Sequence, residues 1–247
     1  MILPDFISRL TPDQRKLWET PPVAVVEKQV VVSPDMPSTD VFFVVKGEFE
    51  VSTYSERGKI VFYRVIGPGD LFGELAAIDG GLRSATVTSL GEGQLIRIGG
   101  ADFKNLVETS PDVAMWLVRR HTALIRTLTE RLYQQIAYDV ATRILAELIR
   151  LAEVAGVTDN RAHILRFPPH HVLATRLGTT REAVTRELNY LGPKEQDAAP
   201  GNDADNEKPK KGDKKENLNL IEQTGRELIV YDFAALRRLL RERTTIP

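Results

Sequence analysis

Two sets of charged side chains stand out for what they are equipped to bind. Glu74 and Arg83 lie nine residues apart in the run Phe-Gly-Glu-Leu-Ala-Ala-Ile-Asp-Gly-Gly-Leu-Arg-Ser-Ala-Thr-Val, residues 72–87. A carboxylate accepts from a ribose hydroxyl, and an arginine fork holds a phosphate. The backbone amides of Gly73, Glu74 and Leu75, at the start of a short helix, favour the same anion. These residue types suit capture of a small sugar phosphate. The second set is Arg181-Glu182-x-x-x-Arg186. Arginine bonds guanine through two donors in a major groove, and glutamate accepts from the amino group of cytosine. The four-residue spacing of Glu182 and Arg186 equally permits a plain surface pair on a helix. Catalysis has no comparable set. No nucleophile–base pair stands at workable spacing, and the adjacent His170 and His171 point to different faces of a helix start, unlike an i,i+4 metal pair.

The elements that must position these groups can be read along the chain. At 247 residues the chain is long enough for two domains, and 42% hydrophobic with 27% charged residues describes an ordinary globular protein. There is no cysteine, which excludes a disulfide framework, a thiolate zinc site and a cysteine nucleophile. No apolar run approaches the roughly 20 residues that span a bilayer, and Met1 to Arg9 lacks the pattern of a secretory signal. The expected location is the cytoplasm, with no membrane partner.

Residues 11–19 predict a short helix with Pro12 near its start. From Pro22 to Ile98, short β-branched and aromatic runs such as Val41–Val45 and Ile60–Val65 are punctuated by Gly47, Gly58 and Gly67-Pro68-Gly69. Many short strands with glycine turns predict a small sandwich or roll, interrupted late by the short helix at Glu74. Ser110-Pro111 opens a long helix in which Leu117, Leu124, Leu128, Leu132 and Ile136 recur at near-heptad spacing, with Ile125 alongside. That narrow seam suits a partner helix, so a parallel homodimer is expected. Tyr138-Asp139 marks a hinge, and Val140 to Ala155 reads as another amphipathic helix.

Further on, His170 to Leu177, the turn Gly178-Thr179-Thr180 and Arg181 to Leu191 have the pattern of a helix-turn-helix. Residues 193–217 contain no large apolar side chain and are expected to be a disordered insertion, rich in lysine at Lys208, Lys210, Lys211, Lys214 and Lys215. Leu218–Ile221 and Leu228–Tyr231, with Gly225 between, predict a hairpin, and Asp232 to Arg243 a last helix. Net charge is −1, but residues 1–110 hold 11 Lys/Arg against 15 Asp/Glu while residues 161–192 hold 5 Arg against 2 Glu. An acidic front and a basic back suit a rear half that meets nucleic acid.

Phe72-Gly73-Glu74-Leu75 with Arg83-Ser84-Ala85 resembles the phosphate-binding cassette of cyclic-nucleotide-binding domains, and Thr179 to Arg186 resembles the recognition helix of the CRP/FNR family. The order of parts is similar to that family from about residue 20 to 245, the insertion apart. The resemblance implies an α+β chain: a jelly-roll-like β-roll at 1–109, a dimerisation helix at 110–138 and a winged helix-turn-helix at 139–247. It further implies a regulator of transcription rather than an enzyme, a cyclic AMP or cyclic GMP effector, a double-stranded palindromic operator of the TGTGA type, and RNA polymerase as a partner. In the family the Glu takes the ribose 2′-hydroxyl, and the Arg and following Ser take the phosphate, which carries these roles to Glu74, Arg83 and Ser84. Base contacts carry over to Arg181, Glu182 and Arg186; Thr180, and His170 or His171, match phosphate-contacting positions.

Two departures bear on the effector. Leu128-Thr129 stands where cyclic-AMP-binding members place two hydroxyls against the adenine, and Leu128 can neither donate nor accept. The cysteines that hold an iron–sulfur cluster or a haem in sensing members are absent, so no metal, haem or cluster is expected. The alternative within the family is a regulator that acts without ligand or responds to cyclic di-GMP.

Overall fold

The computed structural model describes residues 5–56, 58, 60–193 and 217–245. The insertion expected at 193–217 therefore lies outside the described residues except at its two ends, and so do all six of its lysines. The chain divides into two compact units, the division falling between Thr129 and Glu130 within one long helix.

In the first unit, β1 (Val23–Val25), β2 (Val30–Val32), β3 (Val41–Lys46), β4 (Phe49–Tyr54), β5 (Ile60–Ile66), β6 (Leu71–Phe72), β7 (Thr86–Ser89) and β8 (Gly93–Ile98) make two antiparallel sheets. Their orders are β1-β8-β3-β6 and β2-β7-β4-β5. Side chains alternate across each strand, and every strand sends one apolar residue into a shared core: Val25, Val32, Val44, Phe49, Ile66, Phe72, Val87 and Leu95. This is the roll that the short β-branched runs predict. A second core lies beyond the β3–β8 sheet. There α2 (Glu74–Asp79), α3 (Gly100–Thr109) and the first turns of α4 (Pro111–Ala137) pack with Trp18, which follows the short helix α1 (Pro12–Lys16), around Phe43, Phe103 and Leu106. Trp18 stands edge-on to Phe43 at 5.4 Å and to Trp116 at 6.5 Å, so the start of α4 is seated on the roll.

Helix α4 has 27 residues, about 40 Å at 1.5 Å per residue. Its apolar stripe changes character along this length. Leu117 is 5% exposed, Leu128 42% and Ile136 79%. The near-heptad seam is thus buried at its start and uncovered towards its end.

The second unit is built on α5 (Val140–Ala155), capped by Asp139, whose carboxylate accepts from the Thr142 amide at 2.7 Å. Then come β9 (Val157–Thr158), β10 (Arg161–Ile164), α6 (His170–Leu177), α7 (Arg181–Leu191), β11 (Ile221–Thr224), β12 (Glu227–Val230) and α8 (Phe233–Thr244). Ile144, Leu148, Val184, Leu188, Leu228 and Leu236 meet in one core. Helices α6 and α7 are joined through Gly178 at φ +64, a left-handed turn that a side chain would resist. The expected two-stranded wing is part of a larger sheet, in the order β11-β12-β10-β9, because β12 pairs with β10 on its free side. No helix among the described residues is long and apolar enough to cross a membrane.

Candidate functional site

The first site forms where β6 gives way to α2. Gly73 turns the chain at φ +86, and a Cβ there would come within 2.6 Å of Arg83 Nη1 and 2.7 Å of the Asp40 carbonyl oxygen. The missing side chain lets Arg83 lie against the backbone. Arg83 is 5% exposed. Its Nη1 donates to the Gly73 carbonyl at 2.8 Å, and its Nη2 to the Asp40 carbonyl at 2.8 Å and to Ser38 Oγ at 3.4 Å. The Asp40 carboxylate in turn accepts from Ser38 Oγ at 2.7 Å and from Arg97 Nε at 2.8 Å. Burial pushes the Arg83 guanidinium below its ordinary pKa, while Asp40 and Glu74 oppose the shift. A guanidinium has five N–H donors. Nε is buried without a partner, and a buried charged donor of this kind suits an anionic oxygen.

Glu74 is 7% exposed, and its Oε1 lies 3.2 Å from His121 Nε2 on α4. A carboxylate has about four lone-pair sites, so this contact leaves acceptors for a ribose hydroxyl. A cavity of about 310 Å³ opens beside these groups. Gly73, Glu74, Leu75, Arg83, Ser84 and Leu128 all line it, which brings six of the seven sequence-predicted ligand residues together. Thr129 is exposed and is not among the lining residues. Tyr63, Arg64 and Leu124 line the cavity and were not anticipated. Helix α4 is fastened beside the cavity by two further residues that periodicity does not reveal. Arg120 donates to the Gly69 carbonyl at 3.0 Å, pairs with Asp70 and lies 5.1 Å over the Trp116 ring; His121 bonds Glu74. The cassette's own spacing contains no trace of either.

The second site is the exposed face of α7. Thr180 caps the helix, its hydroxyl oxygen accepting from the Ala183 amide at 3.2 Å. Arg181, Glu182 and Arg186 are exposed. With Thr185, Asn189 and Asn217 they line one open concavity. Glu182 and Arg186 make no ion pair with each other or with any described residue, so the plain surface pair is not formed. His170 and His171 differ. The half-buried His170 is bonded through Nδ1 to Thr185 Oγ1 at 2.7 Å and through Nε2 to Gln223 Oε1 at 3.0 Å, tying α6, α7 and the hairpin together. His171 is exposed. At the far end of α7, the buried Glu187 pairs with Arg243 of α8 at 2.7 Å.

Comparison with known proteins matches residues 22–110 to the cyclic nucleotide-binding domain. The chain is 22% identical over 205 residues to the cAMP-activated global transcriptional regulator CRP of Haemophilus influenzae, covering 83% of this chain and 81% of that one. Among solved structures, a CooA mutant from Carboxydothermus hydrogenoformans superposes with a TM-score of 0.71 at 16% identity, covering 97% of this chain and 98% of that one. A CRP/FNR-family transcriptional regulator from Thermus thermophilus gives a TM-score of 0.62 at 18% identity, covering 90% and 99%. The Haemophilus influenzae and Thermus thermophilus proteins are transcriptional regulators. Their likeness runs through both compact units: the chain carries the match to the cyclic nucleotide-binding domain at 22–110 and is similar over most of its length to a CRP transcriptional regulator and to the fold of CRP/FNR-family structures.

Proposed function

We propose that the protein is a dimeric, cyclic-nucleotide-responsive DNA-binding regulator, with a β-roll at 1–109, a dimerisation helix at 110–138 and a DNA-binding domain at 139–247. The observation that carries the reading is the cavity in which Glu74 and Arg83 stand buried with acceptor and donor capacity still unspent. Glu74 takes the ribose hydroxyl, and Arg83 with Ser84 takes the cyclic phosphate. The uncovered half of the α4 stripe supports pairing with a second copy. Arg181, Glu182 and Arg186, exposed and unpaired, support reading of a TGTGA-like half-site, with Thr180 and His171 at phosphates. His170 positions α6, α7 and the hairpin. The protein acts in the cytoplasm, on double-stranded DNA and with RNA polymerase.

Nucleotide bound at Glu74 meets α4 through Leu124 and Leu128. A shift of that helix and of the Asp139 hinge sets the spacing of two recognition helices to successive major grooves. The ligand acts only through its differential affinity for the DNA-competent arrangement. Operator selection from random DNA, with and without cyclic nucleotide, tests this, followed by titration of the selected site. A gain of about tenfold or more in operator affinity is expected, since allosteric couplings typically run roughly 5- to 150-fold. Unchanged affinity at saturating cyclic AMP, cyclic GMP and cyclic di-GMP overturns the switch. It leaves the second reading, a ligand-independent regulator, which one observation favours: the Gly73 and Asp40 carbonyls already hold Arg83 in place.

A further inference from the structure

The cavity wall carries a second guanidinium that ribose and phosphate do not use. Arg64, on β5, lines the same cavity as Glu74 and Arg83 and is half-buried. It makes no hydrogen bond or ion pair to any described residue. Burial pushes its guanidinium below its ordinary pKa. Asp70 and Glu74 act in the opposite sense, and the nearby Arg120 adds to the lowering. A partly desolvated guanidinium whose donors meet no acceptor is costly unless a ligand supplies one.

The rest of the wall narrows what those acceptors are. Val32, Val51, Leu124 and Leu128 are apolar and suit the face of a flat base. Among the polar lining residues, Glu74, Arg83 and Ser84 serve the ribose and phosphate in the proposed function, and Tyr63 already interacts within the protein. Arg64 is left for the edge of the base. Guanine presents two acceptors side by side, O6 and N7, whereas adenine presents N7 beside an amino donor. A guanidinium, all donor and no acceptor, matches the first edge and opposes the second. Cavity size adds a bound. About 310 Å³ is at the small end of ligand pockets, which run roughly 300–1,000 Å³, and suits one nucleotide better than a cyclic dinucleotide.

Resting on the effector site of the proposed function, we propose that Arg64 is its specificity-determining residue and selects a guanine base, so that the effector is guanosine 3′,5′-cyclic monophosphate.

Calorimetric titration of the full chain with cyclic GMP, cyclic IMP, cyclic AMP and cyclic di-GMP tests this. Cyclic IMP keeps O6 and N7 but lacks the 2-amino group, so it isolates the edge in question. Cyclic GMP and cyclic IMP are expected to bind within a few-fold of each other, both about 5- to 150-fold tighter than cyclic AMP, the range of one bidentate guanine contact. In Arg64→Met the three affinities converge to within about twofold through weakening of cyclic GMP and cyclic IMP, with a native circular dichroism spectrum. The wild-type series needs no variant and decides the base preference even where Arg64→Met does not fold. Cyclic AMP binding as tightly as cyclic GMP overturns the inference and leaves the effector site standing. So does a preference that survives in folded Arg64→Met, or cyclic di-GMP binding tightest. Failure of all four to bind removes the effector site itself.

Discussion

The two proposed binding surfaces treat charge in opposite ways. In the roll, Glu74 and Arg83 are buried and held by named partners on neighbouring loops and α4. On α7, Arg181, Glu182 and Arg186 are exposed and unpaired among the described residues. A site for one small anion gains from fixed donors in a low-dielectric interior, where each hydrogen bond is electrostatically stronger. A surface that meets a long polyanion works differently: its cations stay hydrated until encounter and gain from released counterions. Substitutions in the first region should therefore change folding stability and ligand affinity together. Those in the second should change DNA affinity alone.

The sharpest attempt to break this contrast is Arg83→Ala. Truncating one side of a buried, hydrogen-bonded charge set costs about 2–5 kcal/mol, so cyclic-nucleotide affinity is expected to fall at least about 30-fold. The Gly73 and Asp40 carbonyls lose their partner as well, and each such group costs about 1–3 kcal/mol. The melting temperature should drop in the same variant, and an unchanged melt would mean that Arg83 is not structural. Glu187→Ala probes the exception inside the second unit, where one carboxylate is buried against Arg243. Breaking a buried pair costs about 3–5 kcal/mol, and because Arg243 keeps some solvent contact about 2–4 kcal/mol is expected in a denaturant midpoint measurement. Arg181→Ala is the counterpart on the exposed face. Its operator affinity should fall by about 1–3 kcal/mol with relaxed sequence preference at one position, while its melting temperature stays at the parent value. A comparable loss of stability would erase the distinction between the two surfaces.

The smallest effect belongs to Asp139, a charge whose hydrogen bonds are local. Hydrogen bonds from the Thr142 hydroxyl and amide hold its carboxyl below the ordinary 3.8. Asp139→Ala should cost about 1 kcal/mol at neutral pH, the worth of a helix N-cap. A lowered folded-state pKa gives stability that is present above the unfolded value and lost as pH falls through the folded one. The difference between Asp139→Ala and the parent should accordingly close in acid below 3.8, which urea titrations at several pH values would read.

The chain's sequence makes some of this architecture readable and conceals the rest for a physical reason. The roll is legible because β-branched runs and glycine turns are local signals, and the cassette because Glu74 and Arg83 hold a fixed spacing on contiguous residues. Helix α8 is legible from its apolar period and from Asp232, which caps it by accepting from the Ala235 amide at 2.8 Å. Arg64, Arg120 and His121 are not legible. Each owes its place to a strand or helix brought against the cassette by tertiary packing, and no local pattern records such a meeting. His170 shows the same limit. Its position at a helix start invites a phosphate contact, yet its ring is engaged by Thr185 and by Gln223, 53 residues further along the chain. The wing hairpin is readable from Gly225, but its pairing with β10 is not, because the two are far apart in the chain and meet only through the fold.

Leu128 belongs to two surfaces at once. It lines the cavity and, at 42% exposed, it is also part of the uncovered stripe of α4. In the proposed dimer, filling the cavity and pairing the helices then draw on the same side chain, and linkage requires the effect to run both ways. A ligand that tightens the dimer must itself be bound more tightly by the dimer than by the separate chain. Apparent ligand affinity would then rise with total protein concentration, and a measurement on dilute protein would understate it. The two cavities of a dimer would also cease to be independent, so the first ligand changes the odds for the second without touching it.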